Sequence, residues 1–544
     1  MMRASGSAVV PAGNGADTRE ASTRAGWLSW LATHAVGITF WTALVAGTLF
    51  RVVRYVDNRS LWLDESFLAI NLIDRTAGEL LDALDFAQSA PPAFLLSEKG
   101  IIDILGDSER SLRLLPFVAS IVALLLFAWL TRRLLSPWAA TLALALFAAN
   151  DFLVYQASEV KPYSTDVLMT VVLLALLVQF ERGPATLGRV APLLAAGAVA
   201  PFVSFPSVLV LGGVGTAALL VLHQRGTHRT LLAAAGLMGA WVAAFAVVLM
   251  QSSTAIQRVS SEIFAGQPTA GQGLSQSFER SWSLFVNPGN FTDGTNALAA
   301  LLAAFGLLGL LRRERAWQAI ALGVPPALAV GAAVLERYPL GNRYSLFLVP
   351  IMLLLVARGV EALVRDSRRA VLLATALAMV LLVPQAATAL RHATSPPRGE
   401  DVRPLLATAA SGWRAGDVLY LYRNAQYAAR YYGTCKDCRP DGIAWPWPTQ
   451  PAPPTGTGEQ FAPALESVPP TVVVGTQEPL PDRIASDVAR LPTSGRVWAV
   501  LSHVTDHDDV NEGALLQREL AERGRLVGSW HAGNAQLLLY ELSR

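Results

Sequence analysis

The chain has 544 residues, of which 53% are hydrophobic and only 15% charged, and its formal net charge is +2. Soluble domains carry about 25% charged residues, so much of this chain calls for a solvent other than water. The near-neutral balance, with no basic tract interleaved with aromatics, argues against a nucleic-acid partner, and two cysteines, Cys435 and Cys438, are too few for a disulfide framework.

Residues 1–26 are polar and rich in Gly, Ala and Ser, which predicts a disordered cytoplasmic tail without a cleavable signal peptide. Beyond it the apolar runs begin. A bilayer core takes about 17–25 apolar residues per helix, and lipid leaves no backbone group unpaired, so each run reads as a helix. Runs near 27–50, 114–131, 137–154, 163–180, 188–205, 206–222, 229–250, 297–311, 316–335, 345–357 and 369–390 predict an α-helical polytopic membrane domain over 27–390. That makes about eleven transmembrane helices, several short enough to need polar ends or tilt adjustment.

Lys and Arg gather on the cytoplasmic side of membrane proteins. With a cytoplasmic N-terminus, alternation sends Arg132-Arg133, Arg182, Arg225, Arg312-Arg313 and Arg368-Arg369 inside. The opposite face then receives 51–113, 155–162, 251–296, 336–344 and everything after about 391. This requires that 92–105 does not cross. Its apolar positions 94, 95, 101, 102 and 105 share a helical face while Glu98, Lys99 and Asp103 interrupt the rest, as in a helix lying in the interface. Residues 391–544 hold no spanning run. Short β-like runs at 417–422, 471–474, 497–501 and 537–540, with helical patterns near 424–432 and 512–524, predict an extracytoplasmic α/β domain. In an oxidising compartment Cys435 and Cys438 could close a tight loop; a zinc site would need further ligands, and none stands nearby.

Four clusters converge on the outer face. Asp64-Glu65 sits among Leu61, Trp62, Leu63, Phe67 and Leu68. A carboxylate drawn out of water gains proton affinity and suits a general base, although a helix-capping acidic pair explains it as well. Gln88-Ser89-Ala90-Pro91-Pro92 opens the interfacial helix, for which Pro at a helix start is reason enough. Glu159-Val160-Lys161-Pro162-Tyr163 either pairs and snorkels or offers Lys161 to an anion, with Glu159 on a sugar hydroxyl or orienting the lysine. Arg337 and Arg343, with Tyr344 beside them, run against the positive-inside bias; a lipid phosphate would account for them, as would ordinary headgroups. Arg113, at the outer start of the second span, is a weaker instance.

In order, Leu63-Asp64-Glu65, Pro91-Pro92, Gly106-Asp107-Ser108-Glu109 with Arg113 to Pro116, Glu159-x-Lys161-Pro162-Tyr163 and Asn342-Arg343-Tyr344 resemble the GT-C membrane glycosyltransferases. The likeness is to the GT39-like group, relatives of protein O-mannosyltransferases and lipid A aminoarabinose transferases, over about 50–390. It implies a multi-pass protein of the bacterial cytoplasmic (inner) membrane with catalysis on the extracytoplasmic side. It also implies a polyprenyl-phosphate sugar donor, inversion at the anomeric carbon, and Asp64 as general base with Glu65 alongside. The acceptor hydroxyl belongs to a glycan, lipid or protein. Glu159, Lys161, Tyr163, Arg113, Arg337, Arg343 and Tyr344 would bind donor and phosphate. No metal or other cofactor is inferred. Where relatives often carry His or an acid before Pro-Pro, this chain has Ala90. Two other classes stay open: a lipid-linked saccharide flippase or transporter, which needs ionisable residues within the spans, and a membrane-anchored binding or assembly protein.

Overall fold

The computed structural model describes residues 15–265, 295–335, 337–340, 342–363, 368–435, 438, 446, 450–451, 464–466, 471–476, 482–507 and 510–543. Among them eight helices are long and apolar enough to cross a membrane: His34–Asp57, Glu109–Leu134, Tyr163–Glu181, Ser207–Arg225, His228–Met250, Ala316–Val334, Arg343–Leu363 and Leu372–Thr394. Three shorter apolar helices, Pro137–Ala149, Leu187–Val203 and Asn296–Leu310, stand where three more spans were expected. With 13 to 17 residues each, they reach about 20–25 Å, less than a hydrocarbon core of about 30 Å. Of the expected tail, 1–14 lies outside the described residues. The chain is already helical from Gly15, so the expectation of disorder does not hold for 15–26.

Two details show how the bundle closes. Gly306 and Gly359 bring helices Asn296–Leu310 and Val349–Leu363 so near that a Cβ on either would meet the other's backbone, at Leu355 O and Leu302 O; such small-residue seams let helices pack in lipid. Arg51 is fully buried in the first span and, among the described residues, has no carboxylate partner. It donates to Ser120 Oγ (2.7 Å), to Gly47 O (2.9 Å), and to Ala148 O and Phe147 O (3.4 and 3.5 Å). The last two are carbonyls that the end of helix Pro137–Ala149 leaves without an intrahelical donor, so the arginine caps a helix terminus that water cannot reach.

The bundle has two chemically distinct ends. At one, Arg182 donates to Arg133 O (2.7 Å), Arg225 pairs with Glu181 (2.8 Å), and Ser136 N donates to Glu361 (2.9 Å). Helices Leu114–Leu134 and Tyr163–Glu181 finish there, so Arg113 and Tyr163, at their starts, belong to the other end. Near that second end lies helix Pro92–Leu105, with Pro92 in its first turn. Phe94, Leu95, Glu98 and Ile102 face inward, whereas Leu96, Ile104 and Leu105 are exposed. Leu105 therefore departs from the face expected for it. Burial holds the Glu98 carboxyl well above the usual carboxylate range, which lets it sit neutral on an apolar face.

After the last span, a five-stranded sheet runs in the order Val472–Val474, Val418–Leu421, Gly495–Leu501, Ala535–Leu542, Gly524–Ala532. The first three strands are parallel and the last two antiparallel. Val418–Leu421 is buried at every position, as a central parallel strand covered on both faces must be. Its core is not its own. Leu61, Leu68, Leu72, Phe94 and Leu112 from the outer loop join Leu419, Leu421, Trp498 and Leu537 in one hydrophobic cluster.

Candidate functional site

A cavity of about 520 Å³ opens at the end of the bundle away from the arginine cluster. Asp64, Lys161, Tyr163, Arg337, Arg343 and Tyr344 all line it, from three separate stretches of sequence. Phe205, Val208, Leu209, Phe245, Leu249 and Ala332 line it as well. The hollow therefore offers contacts for charge and for hydrocarbon.

Asp64 lies in the first turn of helix Leu63–Asp74, and its Oδ2 accepts from Arg343 Nη2 at 2.5 Å. Burial alone would raise the Asp64 carboxyl, but the charges of Lys161 and Arg343 outweigh it and hold the group below its usual value. The raised proton affinity expected from the apolar neighbours is thereby corrected: two cations in the same hollow decide the balance. The Arg343 guanidinium also rests over the rings of Trp62, Tyr344 and Tyr163, at 5.4, 5.6 and 5.9 Å. This aromatic seat orients the charge without neutralising it. Lys161 is buried, which lowers its pKa against the opposing pull of Asp64. Its Nζ donates to Gln88 Oε1 at 2.6 Å.

Three expected site residues do not reach the cavity. Glu65 is wholly buried beneath it and accepts from Arg113 Nη2 and Arg59 Nη1, both at 2.7 Å, from Arg113 Nε and Val160 N, both at 3.0 Å, and from Trp62 N at 3.4 Å. Burial would raise its carboxyl, yet the two arginines bring it down to about 2. Arg113 spends its remaining donors on Arg59 O (2.6 Å) and Ser60 O (3.2 Å). Glu159 accepts from Arg59 Nη2 at 2.9 Å, and burial pushes it up despite that partner. The catalytic assignment of Glu65 and the ligand-binding assignments of Arg113 and Glu159 are accordingly corrected: all three tie the outer loop, the second span and the 159–163 turn together.

Several residues at or around the site were given no site role by the motifs, although Gln88 opens one of the four clusters. Gln88 and Asp166 line the cavity, the former from a loop and the latter from a span. Glu400 holds His503 Nδ1 at 2.5 Å and accepts from Leu63 N at 3.2 Å. That hydrogen bond raises the His503 imidazole, whose backbone has a positive φ of 50°. Asp401 accepts from Ser60 Oγ, and Tyr432 Oη from Leu61 N at 2.8 Å. The C-terminal domain thus grips the Asp64 loop at residues 60, 61 and 63. Patterning within either segment could not show this, because the partners stand more than 300 positions apart. Among the described residues no group of three His, Cys, Asp or Glu side chains could hold a metal ion, and Cys435 is disulfide-bonded to Cys438.

No known protein family matches the chain by sequence, and no curated protein does. Among solved structures, the chain is similar to ArnT from Cupriavidus metallidurans bound to undecaprenyl phosphate. That match has 14% identity and a TM-score of 0.50, and covers 93% of this chain and 98% of that one. The same protein in the apo state matches with 14% identity and a TM-score of 0.48, over 95% and 98% of the two chains. The Archaeoglobus fulgidus oligosaccharyltransferase, tethered to an acceptor peptide containing the NVT sequon, matches with 14% identity and a TM-score of 0.42, over 77% and 65%. The first likeness shows the fold: the chain is built like ArnT, a multi-span helical bundle followed by a small sheet.

Proposed function

From an ArnT-like fold with a charged cavity at one end of its bundle, we propose that the protein is an inverting glycosyltransferase. It moves a sugar from a polyprenyl-phosphate donor to a hydroxyl acceptor outside the cytoplasmic membrane of a bacterium. The observation that carries this reading is that Asp64 meets Lys161 and Arg343 in a hollow that apolar side chains also line.

The prenyl tail lies against Phe205, Leu209, Phe245 and Leu249, and the phosphate meets Lys161, Arg343 and Arg337. In taking Arg343, the phosphate releases Asp64 from its ion pair. The freed carboxylate accepts the proton of the acceptor hydroxyl as that oxygen bonds to the anomeric carbon from the face opposite the phosphate. The carbon–oxygen bond to phosphate breaks, and polyprenyl phosphate leaves with the electron pair, its growing negative charge stabilised by the cations. The undecaprenyl phosphate in the ArnT structure supports a donor of this class.

Sidedness rests on two supports. Arginines cluster at the far end of the bundle, as on a cytoplasmic face, and the Cys435–Cys438 disulfide, in the domain that grips the Asp64 loop, suits an oxidising compartment. A flippase would need a polar path through the bundle, whereas the described residues that line this cavity stand at one end of their spans. The test is transfer from radiolabelled polyprenyl-phosphate sugars by purified protein in nanodiscs. Asp64→Asn is expected to lower turnover by at least about 100-fold while undecaprenyl phosphate still binds; near-normal turnover would remove Asp64 as the base.

A further inference from the structure

Lys161 is the cavity cation whose local partner is uncharged. Its ammonium forms no ion pair among the described residues, and its hydrogen bond goes to the side-chain amide of Gln88 at 2.6 Å. That amide cannot swing freely. Gln88 Nε2 donates to Phe86 O at 3.0 Å, which turns Oε1 toward Lys161.

The turn that carries it is strained, and the strain is held from several sides. Phe86 and Ala87 are consecutive non-glycine residues with φ of 61° and 50°, a backbone region that costs about 1–3 kcal/mol per residue and persists only where the surroundings enforce it. On the N-terminal side, Asp85 is fixed by Arg75 at 2.7 Å and by both ends of the Asn71 amide, at 2.9 and 3.2 Å. The Phe86 ring is wedged between Phe67 and Tyr427, with centroids 5.4 and 5.2 Å away. On the C-terminal side Pro91 leads into the helix that starts at Pro92. A relaxed loop would be the easier structure if Gln88 only filled space.

Resting on the proposed lipid-phosphate donor, we infer that Gln88 is a positioning residue that aims Lys161 at the phosphate while leaving its charge uncompensated. Geometry alone would allow a glutamate there. It would hold the ammonium equally well, but it would neutralise it and set a negative charge against the incoming phosphate. The neutral amide provides direction without that penalty.

The experiment measures binding of undecaprenyl phosphate, and of undecaprenol as the uncharged control, to the full chain in nanodiscs, with thermal melts alongside. Gln88→Glu, an isosteric change that adds charge and gives up the donation to Phe86 O, is expected to weaken undecaprenyl phosphate binding by about tenfold or more, beyond the effect of losing the hydrogen bond alone. Gln88→Met removes the hydrogen bond without adding charge and is expected to fall between Gln88→Glu and the native chain. Undecaprenol affinity should stay unchanged in both. The inference is overturned if either folded variant binds undecaprenyl phosphate as tightly as the native chain, or if undecaprenol binding falls in parallel. A native chain with no affinity for undecaprenyl phosphate would instead remove the proposed donor, and this inference with it.

Discussion

At the scale of single residues, charge type was readable and direction was not. Asp64, Lys161, Tyr163, Arg337, Arg343 and Tyr344 stood out as polar groups at an outer membrane surface, and all six meet in one cavity. Glu65, Arg113 and Glu159 carried the same signal and point into protein. Gln88 and Asp166 line the hollow but belong to residue types that loops and helix starts use freely. The pH profile follows from the groups that do face the cavity. As the proposed base, Asp64 acts ionised, and its pKa lies below the ordinary 3.8, so that form persists through the neutral range and is lost only in strong acid. As the proposed phosphate ligand, Lys161 acts protonated, and burial has moved its pKa below 10.5, so phosphate binding is expected to fail earlier on the alkaline side than an exposed lysine would allow. The expected kcat/KM profile is a broad plateau whose alkaline limb shifts when Lys161 is replaced by Arg. An acid limb near about pH 6 would assign the proton step to a group such as a histidine instead of Asp64.

At the scale of elements, helix Leu63–Asp74 explains why two adjacent carboxylates have opposite fates. Successive side chains on a helix diverge by about 100°, so when Asp64 faces the hollow Glu65 must face inward, where Arg59, Arg113 and the Val160 amide converge on it. Glu65→Ala would leave buried Arg113 without its carboxylate and Arg59 with Glu159 alone, at a cost of about 3–5 kcal/mol. Its melting temperature should therefore fall sharply, whereas Asp64→Asn, at a partly exposed ion pair, should melt within about 1 kcal/mol of the native chain. Equal melts for the two variants would return Glu65 to the list of catalytic candidates. The same reasoning separates what hydropathy could and could not reveal. Long apolar spans declare themselves, and all four expected β-runs fall in the sheet. Edge strand Gly524–Ala532 was missed because its two glycines and exposed polar residues match neither period. Helices Val402–Ser411 and Asp482–Ala489 were missed as short amphipathic segments among loop-like sequence.

At the scale of the molecule, composition changes near 390, but packing does not divide there. The outer loop and the C-terminal sheet share one hydrophobic core, and the bonds between them converge on the backbone beside Asp64. Arg403 reaches Asn58 O at 2.8 Å and Glu109 at 2.6 Å, Tyr432 joins Leu61 N to Glu109, and Asp401 takes Ser60. None of these C-terminal residues lines the cavity. If Asp64 is the base, the C-terminal domain bears on the chemistry by fixing where the Asp64 loop sits, and a displacement of about 1 Å at a reacting group can cost about 100-fold in rate. Asp401→Ala combined with Tyr432→Phe leaves the Ser60 hydroxyl and the Leu61 amide without acceptors, each worth about 1–3 kcal/mol. Because every cavity residue remains, undecaprenyl phosphate should bind within about threefold of the native affinity while turnover falls by about tenfold or more. Unchanged turnover in the folded double variant would mean that the loop holds Asp64 unaided and that the domain serves another purpose. Parallel loss of binding and turnover would mean that the shared core, and not the loop alone, keeps the cavity open.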